Sequence, residues 1–171
     1  CKTTINDNDL IEPLKYSNVI KDLVIDLTYE KEVLSKPKAY IQKFEKEVIT
    51  QKDEKKIDRQ SNCILCQSCY SSCPVFEVNK NFLGPYSLSR VLRYIDDKKE
   101  HEEKEKIDLI QTDGIWDCTL CGNCTMVCPQ YIDPKTDIMN LRMKSAKYGY
   151  TDPNAMSFGG GVDFGFNPNG F

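Results

Sequence analysis

The sequence is poor in the residues that most enzymes use for acid-base work near neutral pH. It has one histidine, His101, and one tryptophan, Trp116, in 171 residues. His101 stands among charged neighbours that place it in water, which argues against a metal-ligand or catalytic-base role. No apolar run approaches the roughly 18 residues of a membrane-crossing helix, and mean hydropathy is -0.51. Charge of one sign is not in excess either. The 23 basic and 26 acidic residues leave a net charge of -3, so the strongly basic face that grips a nucleic-acid backbone is missing. The opening Cys1-Lys2-Thr3 brings no initiator methionine, charged n-region or apolar h-region. It reads as the continuation of something upstream.

Cysteine is what the sequence has in quantity. Eight of its nine cysteines fall in two windows, Cys63 to Cys73 and Cys118 to Cys128, and the ninth is Cys1. Cysteines this close together close loops too short for unstrained bridges, and no leader points to the oxidising compartment where disulfides persist. The windows read CILCQSCYSSCP and CTLCGNCTMVCP. Each is C-x2-C-x2-C-x3-C-P, so the chain contains a degenerate internal repeat. Thiolates at i, i+3 and i+6 on a tight helix-like turn can take three corners of one iron-sulfur cube, with backbone N-H groups facing its sulfides. In paired runs of this kind the fourth cysteine serves the other cluster. That assigns Cys63, Cys66, Cys69 and Cys128 to one 4Fe-4S cluster, and Cys118, Cys121, Cys124 and Cys73 to a second. The crossing ties the two segments together through metal. The competing reading is a structural zinc module with four thiolates per ion, but three cysteines in seven residues crowd a single tetrahedral centre. Ile64, Leu65, Val75 and Phe76 at the first site, and Leu120, Met126, Val127 and Ile132 at the second, are expected to exclude water. Gly122 is expected to let backbone approach closely.

Around these runs the signals are helical. Short β-prone pieces, near Lys2 to Ile5 and Val19 to Ile25, are broken by Asn6 to Asp9 and by Pro13. Thr28 to Ser35 predicts a helix stopped before Pro37, Ala39 to Val48 a second helical stretch, and the polar Gln51 to Ser61 a linker. After Gly84 and Pro85, Leu88, Val91, Leu92 and Ile95 form one apolar stripe. Asp96 to Asp108 reads as a solvated helix surface with Glu100/Lys104 and Glu102/Lys106 as i,i+4 pairs. Asp133-Pro134 opens a helix to about Lys147, with Gly149 as its stop. The tail is aperiodic; Phe158, Phe164, Phe166 and Phe171 suit an extended arm anchoring on a partner.

Several segments resemble the iron-sulfur subunits of succinate dehydrogenase and fumarate reductase. Cys1-Lys2-Thr3, Ile11-Glu12-Pro13-Leu14 and Val19 to Asp26 are similar to the end of that family's plant-type 2Fe-2S domain. Lys36 to Ile41 is similar to its linker, and Cys73-Pro74, Phe76, Phe82-Leu83-Gly84-Pro85 and Cys124 to Pro134 to its dicluster domain. The resemblance implies a helical dicluster domain behind a β-grasp 2Fe-2S domain, whose last ligand would be Cys1. It also implies electron transfer between a flavoprotein carrying FAD and dicarboxylate and a membrane-side or thiol-reducing partner. Two departures stand out. Well-known members lack the second cysteine of the second run and hold a 3Fe-4S cluster there, whereas Cys121 completes a 4Fe-4S set. They also place a Trp and a His beside the quinone, where this sequence has Glu77, Val78 and Thr119. A separate cysteine-rich subunit with CCG motifs then becomes the expected acceptor, with quinone reached indirectly. Ile115-Trp116-Asp117-Cys118 and Cys121-Gly122-Asn123-Cys124 are similar, in addition, to dicluster subunits of heterodisulfide reductases and of glycolate or lactate oxidases.

The expected fold is mainly α: a ferredoxin-like helical dicluster domain at 59–150, preceded by the remnant of a β-grasp domain at 1–27 and a helical linker at 28–58, and followed by an extended tail at 151–171. The expected protein is an electron-transfer subunit with two 4Fe-4S clusters, one 2Fe-2S cluster in the full-length chain, and no substrate-transforming site of its own. Its expected place is peripheral, on the cytoplasmic face of a prokaryotic inner membrane, with no nucleic-acid partner.

Overall fold

Helices form here where a start signal meets an apolar stripe. The computed structural model describes residues 4–153, among which there are eight helices and two short strands. Strands β1 (Val19–Lys21) and β2 (Val24–Ile25) pair antiparallel across a turn in which Asp22 takes φ 53°. They lie in the β-prone stretch Val19 to Ile25. Lys2 and Thr3 fall outside the described residues, and Thr4 and Ile5 join no strand. Helix α1 (Thr28–Ser35) ends before Pro37, as the sequence predicts.

Between residues 39 and 61 two expectations fail. The stretch 39–48 is irregular, bending at Tyr40, Gln42 and Lys43 and bridging to Glu100 at Phe44, because its polar backbone is held by Glu100. That carboxylate accepts from the N-H of Gln42 at 2.8 Å and of Lys43 at 3.4 Å. It also pairs with Lys106 Nζ at 3.0 Å, both side chains being 0% exposed. Gln42 Oε1 accepts a second bond from Lys106 at 2.7 Å. A buried ammonium and carboxylate need every partner they can find, and these contacts outweigh local helix propensity. The supposed linker Gln51 to Ser61 is instead helix α2 (Gln51–Ser61). A capping box opens it: Thr50 accepts from the Asp53 N-H, and Asp53 accepts from the Thr50 N-H.

Helices α3 (Ser68–Ser71) and α4 (Pro74–Val78) follow the first cysteine run, and α5 (Pro85–Ile95) is the central element. Gly84 takes φ 81° against the Tyr70 ring, into which an added Cβ would run. Leu88, Val91 and Leu92 are at most 1% exposed, and α5 packs on α1, α2 and α3. The charged segment after it is not one solvated helix. Only α6 (Glu103–Leu109) is helical, while Asp97, Glu100 and Lys106 are buried. Lys106 pairs with Glu100, and Lys104 with Asp108, in place of the expected i,i+4 partners. His101 is exposed as expected.

Helix α7 (Asn123–Met126) follows the second run, and α8 (Pro134–Lys147) closes the domain against α5. Asp133 caps α8 by accepting from the Thr136 N-H, and Gly149 leaves it at φ 86°. Among the described residues no helix is long and apolar enough to cross a membrane. The four tail phenylalanines lie outside the described residues.

Candidate metal centres

The two cysteine runs fold alike. In each, the backbone turns left-handed two and four residues after the first cysteine: Leu65 (φ 54°) and Gln67 (φ 61°), then Leu120 (φ 57°) and Gly122 (φ 86°). For a residue with a Cβ this region costs roughly 1–2 kcal/mol, so the repeated twist is set by what it orients. It turns the N-H of Leu120 onto Cys118 Sγ at 3.4 Å, and the N-H of Leu65 likewise onto Cys63. Gln67 and Gly122 then cap α3 and α7. Cys73 caps α4, its Sγ accepting from the Phe76 N-H at 3.5 Å, with Pro74 in the first helical position. At Gly122 an added Cβ would make ordinary contact, 3.6 Å from Lys135 Cδ. The glycine therefore serves its positive φ, not the close approach expected of it.

Cys63, Cys66, Cys69 and Cys128 line one pocket together with Leu65, Tyr86, Ser89, Ile132 and Pro134. The other four form a second group. Cys121 acts electrostatically on Cys73, Cys73 and Cys121 on Cys118, and Cys118 and Cys121 on Cys124. The groups adjoin, since α3 packs on α7 and Cys69 feels Cys124. All eight are free thiols. Burial pushes Cys63, Cys69, Cys73, Cys118 and Cys124 up, the last to about 11. Metal must therefore displace protons on binding. Cys1 lies outside the described residues.

Four cysteines line one pocket, with backbone N-H groups turned onto Cys63 and, in the second run, onto Cys118. That all-thiol donor set suits a polynuclear cluster, which takes each thiolate on a separate iron.

One arginine stands beside each group. Arg90 lowers the Cys63 thiol and Arg142 the Cys118 thiol. Arg142 also donates to the carbonyls of Ile115 (2.8 and 3.0 Å) and Cys118 (2.7 Å), so it fixes the entry to the second run. Sequence reasoning missed both arginines, as it missed Ser89 and Tyr86. They come from α5 and α8, and nothing in their local spacing marks them. The expected apolar shield is only partly present. Val75 and Phe76 are buried beside Cys73 of the second group, not at the first site expected of them, and buried Ile132 lines the first pocket, not the second; Leu120 is half-buried. Ile64 and Leu65 line the first pocket while remaining partly exposed. Met126, 85% exposed, and Val127 do not shield the second site, because the four-residue α7 turns its inner side to Cys124. Val78 and Thr119 are exposed.

The family model described as a 4Fe-4S dicluster domain matches residues 59–132. The fumarate reductase iron-sulfur subunit of Escherichia coli O6:H1 is 33% identical over 157 residues, covering 86% of this chain and 64% of that one. The mitochondrial succinate dehydrogenase [ubiquinone] iron-sulfur subunit 3 of Arabidopsis thaliana is 35% identical over 166 residues, 90% of this chain and 53% of that one. The chain thus spans a little under two thirds of the first relative and about half of the second. A chain of the Mycobacterium smegmatis Sdh1 complex in the apo form shares the fold, with a TM-score of 0.70 at 21% identity over 86% of this chain and 66% of that one. A helical fold with two repeated cysteine runs, a dicluster match across both runs, and relatives of one kind over most of its length lead to one conclusion. This chain is a homologue of the iron-sulfur subunits of fumarate reductase and succinate dehydrogenase over most of its length.

Proposed function

We propose that this chain is the electron-transfer subunit of a fumarate reductase or succinate dehydrogenase complex. One 4Fe-4S cluster is held by Cys63, Cys66, Cys69 and Cys128, and a second by Cys73, Cys118, Cys121 and Cys124. The observation that carries the reading is the presence of Cys128, from the second run, in the same pocket as the first three cysteines of the other run. Each cluster, when bound, supplies a carrier for one electron. The chain's own residues do the rest. The Leu65 and Leu120 N-H groups and the Arg90 and Arg142 guanidinium groups stabilise negative charge on the thiolates, and Val75, Phe76 and Ile132 keep water away. The adjoining Cys69 and Cys124 bring the two ligand sets within reach of each other.

In this reading 59–150 is the dicluster unit, and β1 and β2 are the last strands of a β-grasp domain whose 2Fe-2S cluster takes Cys1 as its final ligand. Dicarboxylate chemistry belongs to a flavoprotein partner carrying FAD. On the other side stands a membrane-anchor or cysteine-rich CCG-type subunit, with the chain peripheral on the cytoplasmic face of a prokaryotic inner membrane. Exposed Val78 and Thr119 offer neither an indole N-H nor an imidazole to a quinone carbonyl, which favours an indirect route. Anaerobic purification with iron and sulfide analysis and EPR tests the reading. Two reducible 4Fe-4S centres are expected. A stoichiometric 3Fe-4S signal in fresh, unoxidised protein would remove Cys121 from the ligand set, and a colourless zinc protein would overturn the whole reading.

A further inference from the structure

A polar cluster beneath the first cysteine pocket has no part in that reading. Asp137, in the first turn of α8, is 3% exposed, and its Oδ1 accepts from Gln60 Nε2 at 2.8 Å. Ser89 of α5 lies beside the same carboxylate and also lines the pocket of Cys63, Cys66, Cys69 and Cys128. Pro134, one turn before Asp137, lines that pocket too. Three atoms here, Gln60 Oε1, Ser89 Oγ and Asp137 Oδ2, are buried with no hydrogen-bond partner among the described residues. Ser89 brings one O–H, which bears on the Asp137 carboxylate, against the two acceptors Gln60 Oε1 and Asp137 Oδ2, so the arrangement is one hydrogen short. A proton on Asp137 Oδ2 would turn an orphaned acceptor into a donor facing Ser89 and remove a charge from an apolar surround.

Burial pushes the Asp137 carboxyl up to about 6. Gln60 and Arg59 of α2 and Ser89 of α5 oppose this, and Asp133 at the head of α8 adds to it. On the other elements packed against α8 the charges are engaged elsewhere. Arg93 of α5 pairs with Asp97, Arg90 of α5 bonds the Tyr94 hydroxyl and faces the Cys63 thiol, and Lys104, Lys106 and Glu105 of α6 pair with Asp108, Glu100 and Lys38. Glu103 pairs with Lys144, and α7 carries Cys124 as its one titratable side chain.

We propose that Asp137 is a proton-binding site linked to the oxidation state of the cluster held in the Cys63 pocket. It takes up one proton from solvent when one electron enters there and releases it on reoxidation. The inference rests on the proposed function above. An added negative charge across a poorly screened gap disfavours a second one on the neighbouring carboxylate. The balance is simple: one electron arrives from a reductant, one O–H bond forms at Asp137 Oδ2, and no bond in the protein breaks.

The test is a potentiometric titration of the cluster-loaded protein with dithionite, followed by EPR, at several values from about pH 5 to about pH 8. For the cluster on Cys63, Cys66, Cys69 and Cys128, reduction is expected to become up to tenfold less favourable per pH unit above about 6, up to about 59 mV for a one-electron couple. Asp137→Asn is expected to abolish that slope. Infrared difference spectra of the unsubstituted protein carrying 13C-aspartate should gain a carboxylic-acid band on reduction, a reading that holds even if the variant does not fold. A potential independent of pH, a slope that survives Asp137→Asn, or the absence of that band overturns the inference while leaving the proposed function standing. Failure of any cluster to form on Cys63, Cys66, Cys69 and Cys128 overturns both.

Discussion

Arg142 joins two kinds of work in one side chain. Its guanidinium caps the carbonyls of Ile115 and Cys118, and its charge eases the Cys118 thiol toward thiolate. Arg142→Leu is expected to leave those acceptors unpaired and to lower stability by about 2 kcal/mol, read as a shift in the denaturation midpoint. Arg142→Lys should return the charge but not the fork, and so recover only part of the loss. Asp137 works in the opposite direction on stability. Its folded pKa of about 6 lies above the ordinary 3.8, so the folded protein binds the proton more tightly than the unfolded chain. The resulting stability is fully present below about pH 4 and is lost as pH rises through about 6. At pH 7 Asp137→Asn should therefore be more stable than the parent, by up to roughly 3 kcal/mol. The gap should shrink toward pH 4 in denaturation curves run across that range.

The elements differ in how plainly the sequence announces them. The stripe Leu88, Val91, Leu92 and Ile95 and the Asp133-Pro134 start made α5 and α8 legible before any coordinates, because packing and capping use those same residues. Helix α2 was harder to read. With Ile57 as its one apolar residue it looks like a linker, although Thr50 and Asp53 already spell a capping box. The irregular strap at 39–48 was not legible at all, since its partner is a carboxylate more than fifty positions away. That partner makes a differential prediction. Glu100 accepts from four backbone N-H groups, those of Gln42, Lys43, His101 and Glu102, besides pairing with Lys106. Lys106→Met leaves it well supplied with donors. Glu100→Gln leaves a buried ammonium facing neutral oxygens, and should cost about 3 kcal/mol, more than Lys106→Met, in chemical denaturation.

At the scale of the whole molecule, all eight proposed ligands were legible because a spacing repeated twice survives any fold. The second layer of Arg90, Arg142, Ser89 and Asp137 was not, because helix faces deliver it from distant sequence. If ligation crosses between the runs, Cys128→Ser should damage the cluster on Cys63, Cys66 and Cys69 more than the one beside it. EPR of the two centres in the variant checks this, and selective loss of the second centre would contradict it. The likeness of the runs has another consequence. Each has the same pair of left-handed turns, a short helix carrying its third cysteine, and one arginine from a neighbouring helix, and the two meet where α3 packs on α7. Under the proposed function, that shared backbone pattern would set no direction of its own. Electrons would run whichever way the attached donor and acceptor dictate, and the choice between reducing fumarate and oxidising succinate would belong to the partners at each end.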